Sequence, residues 1–75
     1  MKNEIIEIAA NTLRISIAEA QKNYKEIADV NAFYFWNPVR GGLAVIIAEN
    51  GEKLAATSSI SFERHLQAFL SGKRN

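Results

Sequence analysis

Few side chains in this 75-residue sequence could do chemistry: one histidine, His65, the serines Ser58, Ser59 and Ser61, the glutamates Glu49 and Glu52, and Arg40 before two glycines. A zinc or catalytic role for His65 needs partners at helical spacing. Its neighbours three and four residues away are Ser61, Phe62, Ala68 and Phe69, which supply no acid, base or ligand. With no cysteine in the chain, a lone histidine would have to gather carboxylates from distant elements to hold a metal. His65 is therefore expected to be a partly exposed helix residue, with no metal and no cofactor. The serines lack the glycine-framed turn that presents a nucleophile, and Ser-Ser-Ile-Ser before a helix is capping sequence. Glu49 and Glu52 flank Asn50-Gly51, where opposed carboxylates would repel and could mark a cation site or an acid pair. Lys53 lies beside them and no third oxygen ligand is evident, so they are expected to be solvated. Arg40-Gly41-Gly42 has neither the lysine nor the hydroxyl residue of a phosphate loop and precedes a strand. No catalytic residue is assigned, and an enzyme is not expected.

The richest segment is Ala32 to Gly51, with four of the seven aromatic residues, the single proline and three of the four glycines. On a strand, Tyr34 and Trp36 share one face and Phe33 and Phe35 the other, so one pair belongs to the core. A base-stacking platform would need cations beside the rings. Arg40 is the one close in sequence, and a net charge of +1 gives no basic field, so nucleic acid is not an expected partner. Tyr, Trp and Arg are enriched at protein interface hot spots. Two readings stay open: the turn around Asn37-Pro38 presents Trp36, Arg40, Tyr34 and Asn37 to a protein partner, or it is purely structural.

The elements that must position these residues follow from periodicity. Ile6, Ala9, Ala10, Leu13, Ile17, Ala20, Tyr24 and Ile27 recur at three- and four-residue steps, which predicts one long helix from about Asn3 to Val30. A rival parse breaks it near Ser16, where Ser16 to Glu19 is a capping box and Leu13 to Ile17 alternates like a short strand. Ala32 to Trp36 reads as a strand ended by Pro38. Leu43 to Glu49 and Glu52 to Ser58 read as strands joined through Asn50-Gly51 in a two-residue type I′ turn. That turn sets Ile47 opposite Leu54 and Val45 opposite Ala56, placing Leu43, Val45, Ile47, Leu54 and Ala56 on the core face. Ser61 caps a terminal helix bearing Phe62, Leu66, Phe69 and Leu70, closed by Gly72. The expected fold is a single α+β domain over residues 1–75: a long N-terminal helix, a three-stranded antiparallel β-meander and a short C-terminal helix, α-β-β-β-α.

Composition bounds the rest. A chain this short hides only about 60% of its unfolded surface. With disulfides excluded, oligomerisation is the remaining support. On one continuous helix Ile5, Ile8 and Ile15 fall away from the Ile6, Leu13, Ile17 face, a second stripe that the terminal helix, another subunit or a break near Ser16 would account for, and Ile46 lies on the sheet face away from the expected core. Ile8, Ile15 and Ile46 are the expected contacts of a homodimer. A hydrophobic fraction of 48% with 23% charged residues describes a folding chain. No apolar run approaches the roughly 20 residues of a membrane span. No secretory leader is recognisable either, so a cytoplasmic location is expected.

From Phe33 onward the chain resembles the small bacterial immunity proteins of the YrhB-like kind, associated with polymorphic toxin systems. The likeness lies in Phe33-Tyr34-Phe35-Trp36, in the hydrophobic strand turning at Glu49-Asn50-Gly51-Glu52, and in Ser58-Ser59-Ile60-Ser61 leading into Phe62-Glu63-Arg64-His65-Leu66. It covers a little over half of the chain. The resemblance implies a non-enzymatic protein that opens with a helix and binds and neutralises a toxin.

Overall fold

The computed structural model describes residues 2–39 and 42–75 and is an α+β structure. Its elements are α1 (Asn3–Leu13), α2 (Ile17–Lys22), β1 (Tyr24–Ile27), a 3-10 turn (Ala28–Val30), β2 (Ala32–Trp36), β3 (Leu43–Ala48), β4 (Lys53–Thr57) and α3 (Phe62–Leu70). The strands form one antiparallel sheet in the order β1-β2-β3-β4.

The single long helix is not formed. α1 stops at Arg14, a non-glycine residue in the left-handed region (φ 58°), whose N–H donates to the Ala10 carbonyl. That conformation costs about 1–2 kcal/mol. It is offset by the capping box that restarts the helix: Glu19 N–H donates to Ser16 Oγ and Ser16 N–H donates to Glu19 Oε1, both at 3.0 Å. The break also lets Leu13 and Ala20 both reach the core. The alternation from Leu13 to Ile17 makes no strand. Tyr24 and Ile27, which prolong the helical spacing, instead belong to a fourth strand, β1, paired with β2 as Tyr24↔Phe35, Lys25↔Tyr34, Glu26↔Phe33 and Ile27↔Ala32. Pairing with an aromatic strand overrides a weak local preference.

The β3–β4 hairpin differs from expectation by one residue. Asn50 is not at positive φ, as a type I′ turn requires, and only Gly51 is (φ +95°). Gly51 N–H donates to the Ala48 carbonyl at 2.9 Å, and Ala48 N–H to the Glu52 carbonyl at 2.8 Å. The connection is thus the three-residue loop Glu49-Asn50-Gly51, and Glu49 does not face Glu52. A one-residue slip turns a whole strand over. Leu54 opposes Ile46, Ala55 opposes Val45 and Ala56 opposes Ala44. Ala55, rather than Leu54 or Ala56, packs with Val45 and Ile47.

Helices cover both faces of the sheet. On one, Ile5, Ile6, Ala9, Ala10, Leu13 and Ala20 of α1 and α2 pack on Phe33, Phe35, Val45 and Ile47. On the other, Phe69 with Leu66 of α3 packs on Ala32, Ile46, Tyr34 and Leu54. Ser61 caps α3 by accepting from Arg64 N–H at 3.3 Å, and Gly72 follows it at φ +100°. Arg74 donates from Nη1 to the Phe69 carbonyl at 2.7 Å, placing a cation at the negative end of the helix. Leu70, expected on the apolar stripe, is exposed.

Candidate protein-binding surface

The aromatic strand divides as its alternation predicts. Phe33 and Phe35 are core residues beneath α1 and α2, whereas Tyr34 and Trp36 lie half-buried on the α3 side, ring centroids 5.8 Å apart. Tyr34 also meets Phe62 edge-on at 4.8 Å and His65 at 5.9 Å. Lys25, on the neighbouring strand, sets its ammonium 3.8 Å from the Phe62 ring centroid and 5.7 Å from that of Tyr34. The result is an aromatic corner with a cation on its rim. Burial pushes the Tyr34 hydroxyl above the usual tyrosine range, because the phenolate would lose solvation. Lys25 and Phe62 are members that sequence reasoning missed. The helical spacing of Tyr24 and Ile27 conceals Lys25, although Asn23 and Asn31 bracket Tyr24 to Val30 as breakers.

Asn37 has a different job. Its Nδ2 donates to the Leu13 carbonyl at 3.1 Å, and its Oδ1 accepts from Val39 N–H at 2.8 Å. Its backbone N–H donates to the Leu43 carbonyl at 2.9 Å. Leu13 is the last residue of α1, where carbonyls lack intrahelical donors, so Asn37 supplies a partner that the helix cannot. The side chain ties the β2–β3 connection to α1 with both polar ends engaged, which is an architectural role. Gly42 completes the fit: a Cβ there would lie 2.7 Å from Asn37 Cβ and 2.8 Å from its Cγ. Arg40, expected to flank this turn, lies outside the described residues.

The residues expected at a dimer contact separate. Ile46 is 0% exposed beneath α3 and offers no surface to a second chain. The element that covers it is this chain's own terminal helix. Ile8 and Ile15 are half-buried and pack against the first core cluster.

His65, expected to be partly exposed, is 2% exposed. Its Nε2 lies 2.7 Å from the Leu54 carbonyl, which can only accept, so Nε2 carries the proton and donates. Nδ1 is enclosed and has no hydrogen-bond partner among the described residues. Thr57 and Ser59 share a hydroxyl contact at 2.8 Å, and Ser61 is occupied as the cap. Glu52 pairs with Arg74 at 3.3 Å on the surface. Among the described residues no three His, Asp or Glu side chains converge as metal ligands.

A hollow of about 730 Å³ lies on the α1 side beside β1, lined by Lys2, Ile5, Tyr24, Glu26, Phe33 and Glu49. The α1 and α2 core residues pack with Phe33, Phe35, Val45 and Ile47, while Tyr24 and Glu26 of β1 are exposed. Glu26 is a further residue that the helical reading of this segment concealed. No helix among the described residues is long and apolar enough to cross a membrane. Neither a family model nor a curated protein nor a solved structure matches the chain.

Proposed function

We propose that this is a non-enzymatic, cytoplasmic protein-binding protein, and that toxin neutralisation is its specific role. The observation that carries the reading is the corner of Trp36, Tyr34, Phe62 and Lys25: aromatic rings held rigid by a sheet and a helix, half-exposed, with a cation on the rim. Rigid aromatics beside a cation supply contact area at low entropic cost, the composition of an interface hot spot. The non-enzymatic part is supported by the fates of the reactive side chains: the histidine is enclosed and tied to a backbone carbonyl, and one serine is spent on capping. The toxin part rests on the resemblance of the segment from Phe33 onward to small bacterial immunity proteins.

The reading is tested by co-expressing the protein with the product of the adjacent gene and measuring its capture and its toxicity. Trp36→Ala is expected to weaken capture by about thirtyfold or more, the mark of a hot spot of 2 kcal/mol, while the folded fraction is retained. Undiminished capture by a folded Trp36→Ala variant overturns the assignment to this corner. A homodimer is the second reading, favoured by Ile17, an apolar residue 44% exposed at the start of α2. Ile15→Glu should then dissociate it, and sedimentation of the unsubstituted protein as a monomer at high concentration removes it.

A further inference from the structure

The two edges of the sheet are finished differently. At β4, Asn75 acts as a strand segment: its N–H donates to the Lys53 carbonyl at 2.9 Å, its Oδ1 accepts from Ala55 N–H at 2.9 Å, and its Nδ2 donates to the Ala55 carbonyl at 3.0 Å. Asn75 thereby occupies the outward groups at the middle of that edge. Among the described residues, β1 has β2 on one side and no strand on the other. Trp36 N–H donates to the Asn23 carbonyl at 3.1 Å, and in the same register Lys25 and Ile27 exchange hydrogen bonds with Tyr34 and Ala32. The N–H and C=O groups of Tyr24 and Glu26 therefore point outward, available to a further strand.

The side chains of this edge discriminate among strands. A second copy pairing antiparallel through the outward groups has two registers that use most of β1. One sets Tyr24 against Glu26 and brings Lys25 directly opposite its own copy; the other brings Glu26 opposite its own copy. Like charges directly opposed across strands destabilise the pair. A foreign strand avoids this by carrying the complementary charges. The hollow supplies the same preference: among the described residues its lining holds two carboxylates, Glu26 and Glu49, and the ammonium of Lys2, over an apolar floor of Ile5 and Phe33. A lysine or arginine stem fits such a site, apolar along its length and anionic at its end.

Building on the protein-binding reading, we propose that β1 is a docking edge for an extended segment of another protein. The segment adds antiparallel as a fifth strand, with a basic side chain across from Glu26 in the hollow and an acidic one across from Lys25. Main-chain hydrogen bonds to Tyr24 and Glu26 supply affinity, and the alternating charges set register and choice of partner.

The test uses two end-blocked peptides, Thr-Val-Lys-Glu-Val-Thr and its charge-swapped form Thr-Val-Glu-Lys-Val-Thr, titrated into the whole protein by NMR. The first is expected to shift the Tyr24 and Glu26 amides and to bind about tenfold more tightly than the second. In Lys25→Glu/Glu26→Lys the preference should invert. Glu26→Pro removes an outward N–H without touching the β1–β2 ladder and should abolish docking in a folded protein. If Glu26→Pro unfolds, the charge-swapped pair of substitutions still decides. Equal binding of both peptides, or unmoved β1 amides, overturns the proposal. So does a dimer that Glu26→Pro dissociates, because a second copy would then be the occupant. Loss of partner capture in Trp36→Ala with unmoved β1 amides would leave the binding reading standing and remove only the strand edge. The reverse pattern would keep the edge and remove the aromatic corner.

Discussion

Replacing Asn37 separates architecture from recognition at the turn where sequence alone leaves both open. Asn37→Ala deletes the Nδ2 hydrogen bond to Leu13 and the Oδ1 acceptor for Val39 N–H. Each such bond contributes about 1 kcal/mol net, and a helix-end carbonyl left partly buried adds to the loss. The variant should therefore be destabilised by about 2 kcal/mol. For a domain of this size that lowers the thermal midpoint by about 8–16 °C. Asn37→Asp sharpens the test: it keeps an acceptor for Val39 but sets a carboxylate against the Leu13 carbonyl, at the negative end of α1, so it should be no more stable than the alanine variant. Urea unfolding with an unchanged m-value is the appropriate assay, read beside partner capture at a temperature where both variants are folded. An unshifted midpoint in Asn37→Ala with weakened capture would refute the reasoning and return Asn37 to the contact surface.

Other perturbations probe the remaining elements. Ile46→Ala should cost about 2–5 kcal/mol as a cavity beneath α3, seen as a lower urea midpoint at every protein concentration; a concentration-dependent loss would indicate a subunit contact instead. Ser16→Ala should cost about 1 kcal/mol by removing the cap that restarts the helix, measured by thermal unfolding. Because Tyr34 titrates above its unfolded value, the folded state holds that proton more tightly. This contribution is fully present below about pH 10 and is lost as pH rises through the folded value. Stability of the unsubstituted protein should fall more steeply above about pH 10 than that of Tyr34→Phe, and parallel curves would contradict the burial argument.

The aromatic corner was half legible in the sequence. Alternation along Phe33 to Trp36 put Tyr34 and Trp36 on one face, because successive side chains on a strand must point opposite ways. Lys25 and Phe62 joined them only through strand pairing and helix docking. The docking edge was invisible for the same reason: Tyr24 and Ile27 keep a helical spacing, and nothing within residues 24–27 announces that β2 will pair with them.

What the sequence by itself determined is what short-range chemistry controls: the Ser16–Glu19 capping box, the Ser61 cap, the strand at Ala32 to Trp36, a turn at Asn50-Gly51, and the α+β class. What only the tertiary structure decided is how those pieces share surface. A single apolar stripe fits one long helix or two short ones, and burial of Leu13 and Ala20 against one sheet face selected two. Asn-Gly fits a two- or three-residue loop, and the choice turned β4 over, moving Leu54 and Ala56 to the α3 side. Ile46, apolar on the face away from the expected core, is covered by α3. Local propensities differ between such alternatives by about 1 kcal/mol or less, whereas burying one aliphatic side chain is worth about 1.5–3 kcal/mol, so long-range packing settled each of them.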